Sequence, residues 1–184
     1  MSDIFYQILR INNISAASIG TLGIKYNDKI IKTNLTSPDI ITLHKNLDYL
    51  KNKKIDNVII EASSHGLDQK RLHHIKFRGA IFTNFSQDHL DYHKTMKTYL
   101  NAKLVLFRKI LSKKSTIISN KEITTFKILN QIAKKRNLKI VDISKTLKKI
   151  KSINLKFNED FKIRNLAMAI EAVKLSGLSE TLIF

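Results

Sequence analysis

Cysteine and tryptophan are absent from these 184 residues, proline occurs once and glycine five times. Without cysteine there is no disulfide and no thiolate metal site, so a bound metal must take oxygen or imidazole ligands. No apolar run approaches the roughly 20 residues that cross a bilayer, and the opening MSDIFYQILR lacks a signal-peptide layout, so a cytoplasmic location is expected. Acidic residues are also scarce: 15 against 33 basic ones, a net charge of +18. Such an excess first suggests nucleic acid. The basic residues are diffuse, however, and heaviest from Arg108 to Lys156, where lysine alternates with Ile, Leu, Asn and Ser. No zinc finger, basic zipper or aromatic-plus-basic RNA motif accompanies them. The expectation is a solvated lysine surface on a monomer with no nucleic-acid and no membrane partner. Hydrophobic and charged fractions of 43% and 26% are those of a globular protein, and the length suits one domain.

What is present alternates in period. Residues 3–12 and 40–51 carry apolar side chains at helical spacing, the second after the helix start Thr36-Ser37-Pro38-Asp39. Residues 15–24 read as a strand running into the turn Gly20–Gly23. Residues 57–60 and 79–82 are continuous apolar strands, each emptying into a polar cluster. Helices are expected over 95–111, 122–136 and 164–176, with strands at 115–119 and 138–143; residues 145–160 show the weakest pattern. Apolar strands alternating with helices imply an α/β fold, a mainly parallel sheet with helices on both faces. Ligands in such sheets bind beyond the carboxyl ends of the strands, where the two polar clusters fall.

Five of the six histidines, His65, His73, His74, His89 and His93, lie close together, interleaved with Glu61, Asp68, Asp88 and Asp91. Carboxylate and imidazole without thiolate suit Mg²⁺ or Mn²⁺; the ordinary alternative is a set of surface and capping groups. Lys103 shares a helical stripe with Met96, Tyr99, Leu100, Phe107 and Ile110, so its ammonium must snorkel, pair or change its charge state. The sharper reading is an amine that reacts with carbon dioxide to give a carbamate.

The run Glu61-Ala-Ser-Ser-His-Gly-Leu-Asp-Gln-Lys-Arg-Leu72, then Phe82-Thr-Asn-Phe-Ser-Gln-Asp-His-Leu-Asp-Tyr-His93, then Tyr99-Leu-Asn-Ala-Lys103 resembles the central, ATP-using domain of the Mur ligase family. The resemblance implies a fold like that of P-loop NTPases. It makes Glu61 and His89 metal ligands for Mg²⁺ bridging ATP and substrate, and Lys103 a carbamylated side chain; His89 and Lys103 are the candidate catalytic residues. Within the family, the Ser-Ser-His-Gly-Leu run followed by Gln and Arg is similar to the enzymes of peptidoglycan precursor synthesis that add a third amino acid, diaminopimelate or lysine, to UDP-MurNAc-L-Ala-D-Glu through an acyl phosphate. That likeness implies that Ser63, Gln69 and Arg71 contact this substrate, together with Thr36 and Ser37, which resemble the subfamily's Thr-Thr-Pro loop. Phe161-Lys-Ile-Arg-Asn165 resembles the segment whose asparagine approaches adenine, with Asp160 where the family has glycine; Asn84 is a further candidate contact to the cofactor, with Asp88 and Asp91 in support.

The family's phosphate loop, Gly-x-x-Gly-Lys-Thr/Ser, has no counterpart in this sequence, nor do its N-terminal uridine-binding and C-terminal amino-acid-binding domains. Residues 1–184 are therefore read as a partial central domain, lacking the phosphate-loop strand and turn and expected to be inactive alone. Two other readings stay open: another Mur ligase or folylpolyglutamate synthase-type ligase, and a non-enzymatic basic nucleic-acid-binding module.

Overall fold

The computed structural model describes residues 1–153 and 159–179. The chain divides into two compact units, one of residues 2–75 and 89–105, the other of Met1 and residues 76–88 and 106 onward.

The first unit opens with α1 (Ser2–Ile11), which buries Phe5, Tyr6 and Leu9 against β1 (Ala16–Gly20) and β4 (Asn57–Ile60). Every residue of β1 is buried. Because alternate side chains point to opposite faces, such a run is covered on both sides. β1 pairs in parallel with β4, Ala16 opposite Asn57 through Ile19 opposite Ile60. On its other side it pairs antiparallel with β2 (Gly23–Tyr26), which pairs antiparallel with β3 (Lys29–Ile31). The strand expected over 15–24 thus ends at Gly20, and the turn starts a new antiparallel strand. The β2–β3 hairpin was not anticipated; Asn27 and Asp28 turn it with φ of 43° and 61°, the left-handed pair that a tight hairpin needs. α2 (Ile40–Asn52) begins where Asp39 accepts a hydrogen bond from the Thr42 N–H at 3.0 Å. After β4 come the short α3 (Ser64–Asp68), α4 (Leu90–His93) and α5 (Met96–Val105).

In the second unit β5 (Gly79–Phe82), β6 (Thr116–Ser119) and β7 (Lys139–Asp142) form a fully parallel ladder with β6 central and wholly buried. The parallel pairing expected of an α/β fold is present, distributed over two ladders of which the first is mixed. The helix expected over 95–111 changes winding: Leu106–Ile110 is π-helical. α6 (Phe126–Arg136) starts later than expected, because Asn120 and Ile123 close turns before it. Residues 145–160 hold a helix after all, α7 (Ser144–Lys151), whose face is set by Ile143, Thr146 and Ile150; residues 154–158 lie outside the described part. α8 (Asp160–Lys174) begins before the expected 164, packs on β5 and β6, and buries Ile163, Ala167, Met168, Ile170 and Val173. Among the described residues no helix is long and apolar enough to cross a membrane.

Candidate functional site

β1 and β4 run side by side, so Gly20 and Glu61 leave the sheet at one edge, joined by the Glu61 N–H to Ile19 C=O bond of 2.8 Å. The Glu61 carboxylate folds back over Gly20. A Cβ there would stand 2.4 Å from Glu61 Cδ, so only glycine leaves it room. Glu61 Oε1 accepts from the Ser2 hydroxyl at 2.6 Å, and Oε2 accepts from the Thr21 N–H and hydroxyl, both at 2.9 Å. Burial pushes this carboxyl up, but the donors from Ser2 and Thr21 outweigh it and hold the group below the usual glutamate value. It is an anion at neutral pH.

The residues expected to touch substrate surround this strand end. The Ser37 hydroxyl donates to Glu61 C=O at 2.8 Å and accepts from the Ser63 N–H and hydroxyl, both at 3.0 Å. Ser63 also caps α3, accepting from the Gly66 N–H at 3.1 Å. A Cβ on Gly66 would come within 2.7 Å of Ser37 Cβ, which is why the loop and the helix start can touch. Arg71 donates to Ser37 C=O at 2.8 Å and to Gln69 Oε1. The Thr36 hydroxyl lies 3.1 Å from that of Thr21. Thr36, Ser37, Ser63, Gln69 and Arg71 are thus one hydrogen-bonded group with Glu61.

His89 and Lys103 belong to a neighbouring cluster of rings. His89, exposed and in the left-handed region with φ 53°, begins α4. Its ring lies 5.0 Å from that of His65 and 5.9 Å from that of Tyr99. Lys103 Nζ lies 5.1 Å over the Tyr99 ring, one helical turn earlier on α5. His65, in the first turn of α3, follows Glu61 by four residues on the same chain segment. Among the described residues no three His, Asp or Glu side chains gather as a metal cage. Mg²⁺ commonly keeps several waters and takes one or two protein ligands besides substrate phosphates; an ionised carboxylate with one oxygen accepting a single hydrogen bond fits that role. His93 is buried, its Nε2 without a hydrogen-bond partner. Burial, then His65, lowers its pKa against the opposing pull of Asp68, and His89 adds to the lowering against Asp91.

Sequence reasoning named His65 among the clustered histidines and Tyr99 on the Lys103 stripe, but passed over Ser2 and Thr21 as partners of Glu61. Spacing alone points to Tyr99, four residues before Lys103 on a helix. Nothing in the chain order signals Ser2 and Thr21, which meet Glu61 only through the parallel pairing of β1 and β4.

The second unit places Asn84 and Asn165 together. Both line an open cleft of about 610 Å³ beyond the carboxyl ends of β5 and β6, with Phe85, Thr125, Phe161 and Arg164. The buried Thr125 hydroxyl has no partner there. Asn165 sits on α8, so the segment from Phe161 is helical. Asp88 and Asp91 are exposed.

The chain is similar to known proteins over most of its length. The chain is 34% identical over 175 residues to the UDP-N-acetylmuramoyl-L-alanyl-D-glutamate–2,6-diaminopimelate ligase of Zymomonas mobilis, covering 95% of this chain and 36% of that one. It is 39% identical over 170 residues to the ligase of the same name from Rickettsia bellii, covering 85% of this chain and 35% of that one. It therefore spans about a third of the length of these curated relatives. A solved structure of a UDP-N-acetylmuramoyl-L-alanyl-D-glutamate–2,6-diaminopimelate ligase superposes with a TM-score of 0.83 over 99% of this chain and 42% of its own, at 21% identity, which shows the fold. The family model described as the Mur ligase middle domain matches residues 1–177, and with that match the chain belongs to the Mur ligase middle-domain family.

Proposed function

We propose that this chain serves as the middle domain of an ATP- and Mg²⁺-dependent ligase of peptidoglycan precursor synthesis. The ligase joins diaminopimelate to UDP-N-acetylmuramoyl-L-alanyl-D-glutamate in the cytoplasm. The names of the relatives support the substrate, and one observation carries the reading: Thr36, Ser37, Ser63, Gln69 and Arg71 form a single network against Glu61. Hydroxyls, an amide and a guanidinium are what bind phosphate and carboxylate oxygens. In the reaction a substrate carboxylate takes the γ-phosphoryl group of ATP to give an acyl phosphate. The amine of the third amino acid then attacks the acyl carbon, and phosphate leaves with the bonding pair.

In this reading Arg71 and Ser63 hold and orient the dipeptide substrate. Glu61, kept anionic by Ser2 and Thr21, and His89 are the protein ligands. Mg²⁺, bound there, supplies charge neutralisation for the transferring phosphoryl group. Asn84 and Asn165 line the cleft assigned to the nucleotide base. Lys103 is assigned as the carbamylated residue. The Tyr99 face beneath it attracts an ammonium and repels an anion, so carbamylation carries Nζ off the ring.

Calorimetric titration of UDP-N-acetylmuramoyl-L-alanyl-D-glutamate into the chain with Mg²⁺ and a non-hydrolysable ATP analogue tests the assignment. Arg71→Ala is expected to weaken binding roughly 10- to 100-fold, the loss of one charge-assisted contact. Binding that is absent in the native chain, or untouched in a stably folded Arg71→Ala, refutes it.

A further inference from the structure

The lysines that look scattered along the sequence are sorted by the second unit's fold. Gly79, Thr116 and Lys139 stand in register in a parallel ladder, so the segments leading into β5, β6 and β7 share one rim. Arg78 precedes β5, Lys113 and Lys114 precede β6, and Lys134 and Lys135 close α6 just before Lys139 opens β7. The segments are tied together: the Lys114 N–H donates to Asn137 C=O at 2.8 Å, and the Thr116 N–H to Arg78 C=O at 3.0 Å. All six side chains are exposed, and none has an ion-pair partner among the described residues. Segments 76–78, 112–115 and 134–139 contain no aspartate or glutamate. With strands about 4.8 Å apart, the three strand starts span roughly 10 Å.

The opposite rim is mixed in sign, with Arg164 lining its cleft and Lys145 opening the lysine run of α7 after β7. Segments 83–88, 120–125 and 142–144 carry Asp88, Glu122 and Asp142, with Lys121 as their only cation. The cleft with Asn84 and Asn165 lies at that end, so a nucleotide there does not account for the cations. Attraction to the carboxyl end of α6 favours Lys134 and Lys135 but not Arg78, Lys113 or Lys114, which lie outside any helix.

We propose that this rim binds the phosphate backbone of double-stranded nucleic acid without regard to base sequence. Of the eight cations in these segments, counting Lys76 and Arg136, six are lysines, point charges suited to a dense phosphate field rather than planar forks that pair with carboxylates. None of the exposed large apolar side chains lies on the rim. It therefore has neither the anchor that bilayer binding uses nor the stacking platform of single-strand binders.

Fluorescence anisotropy of a labelled 20-base-pair duplex, titrated with the chain across a KCl series, reads this directly. Four to five neutralised phosphates give a slope of log affinity against log salt of about −4. K113E/K114E/K134E/K135E is expected to weaken binding at least about 30-fold at 50 mM KCl and to flatten the slope by about 3. K29E/K32E/K45E/K51E makes the same change in net charge at exposed sites of the first unit; it should stay within about threefold of the native chain. Equal loss in both variants, or a flat native slope, overturns the proposal. So does rim-dependent binding to phosphatidylglycerol vesicles without duplex binding. Should the quadruple rim variant fail to melt cooperatively, K113E/K114E and K134E/K135E are compared singly. Each should flatten the slope by about 1.5 to 2, and no change in either overturns it.

Discussion

Glu61 is held by three donors in a place that only glycine at position 20 leaves open. Those donors are also why its pKa lies below the ordinary 4.5. A carboxyl whose folded pKa is depressed contributes stability that is present above the unfolded value and is lost as pH falls through the folded one. Glu61→Gln keeps the shape but places an amide N–H₂ against donors. It should therefore melt lower than the native protein at pH 7, and the gap should narrow as the pH drops below about 4.5. Thermal melts from pH 7 to pH 3 check this; a gap constant across the range contradicts the assignment. Most of this site was legible residue by residue, because carboxylate, hydroxyl, amide and guanidinium side chains announce phosphate and carboxylate chemistry. Ser2 and Thr21 were not. A serine on a helix and a threonine in a turn gain meaning only when β1 and β4 bring their ends together.

Elements with one dominant period were read closely: β4 and β5 are unbroken apolar runs at their expected bounds, α2 runs one residue past its expected end, and α6 keeps its helical spacing but starts four residues late. The hairpin of β2 and β3 was hidden because Gly23–Tyr26 and Lys29–Ile31 are too short to show alternation, and β3 is exposed throughout. α7 was hidden because four lysines in eight residues mask the spacing of Ile143, Thr146 and Ile150. The stop of α6 is a separate device: Asn137 takes φ 53°, and its N–H donates to Lys134 C=O. A β-branched residue there meets the full steric cost of the left-handed region, which asparagine partly escapes. Asn137→Val should lose about 1–2 kcal/mol in urea unfolding, with the denaturant slope unchanged. A neutral result means the chain leaves α6 in another conformation.

Charge is the property that only the whole chain has. With 33 basic and 15 acidic residues, most cations have no anion to meet. The ion pairs present, such as Arg10 with Asp28 at 2.7 Å, are largely exposed; pairs of that kind contribute about 0–1 kcal/mol each. Repulsion among the surplus cations therefore outweighs attraction in the folded state, where charges stand closer than in the unfolded chain. Salt screens both. At 0.01 M the Debye length is roughly 30 Å, long enough for repulsion to act across a unit, whereas at 0.15 M it is about 8 Å and only near neighbours are felt. Added KCl thus removes more repulsion than attraction, and stability should rise. For a chain of this size each kcal/mol recovered raises the melting temperature by about 2–4 °C. Calorimetric scans at pH 7 in 10 mM and 150 mM KCl should show that increase, largest over the first 50 mM. A melting temperature that falls with salt would mean that the few acidic residues are placed to hold their neighbours more strongly than the excess repels, and that the lysine surface is balanced after all.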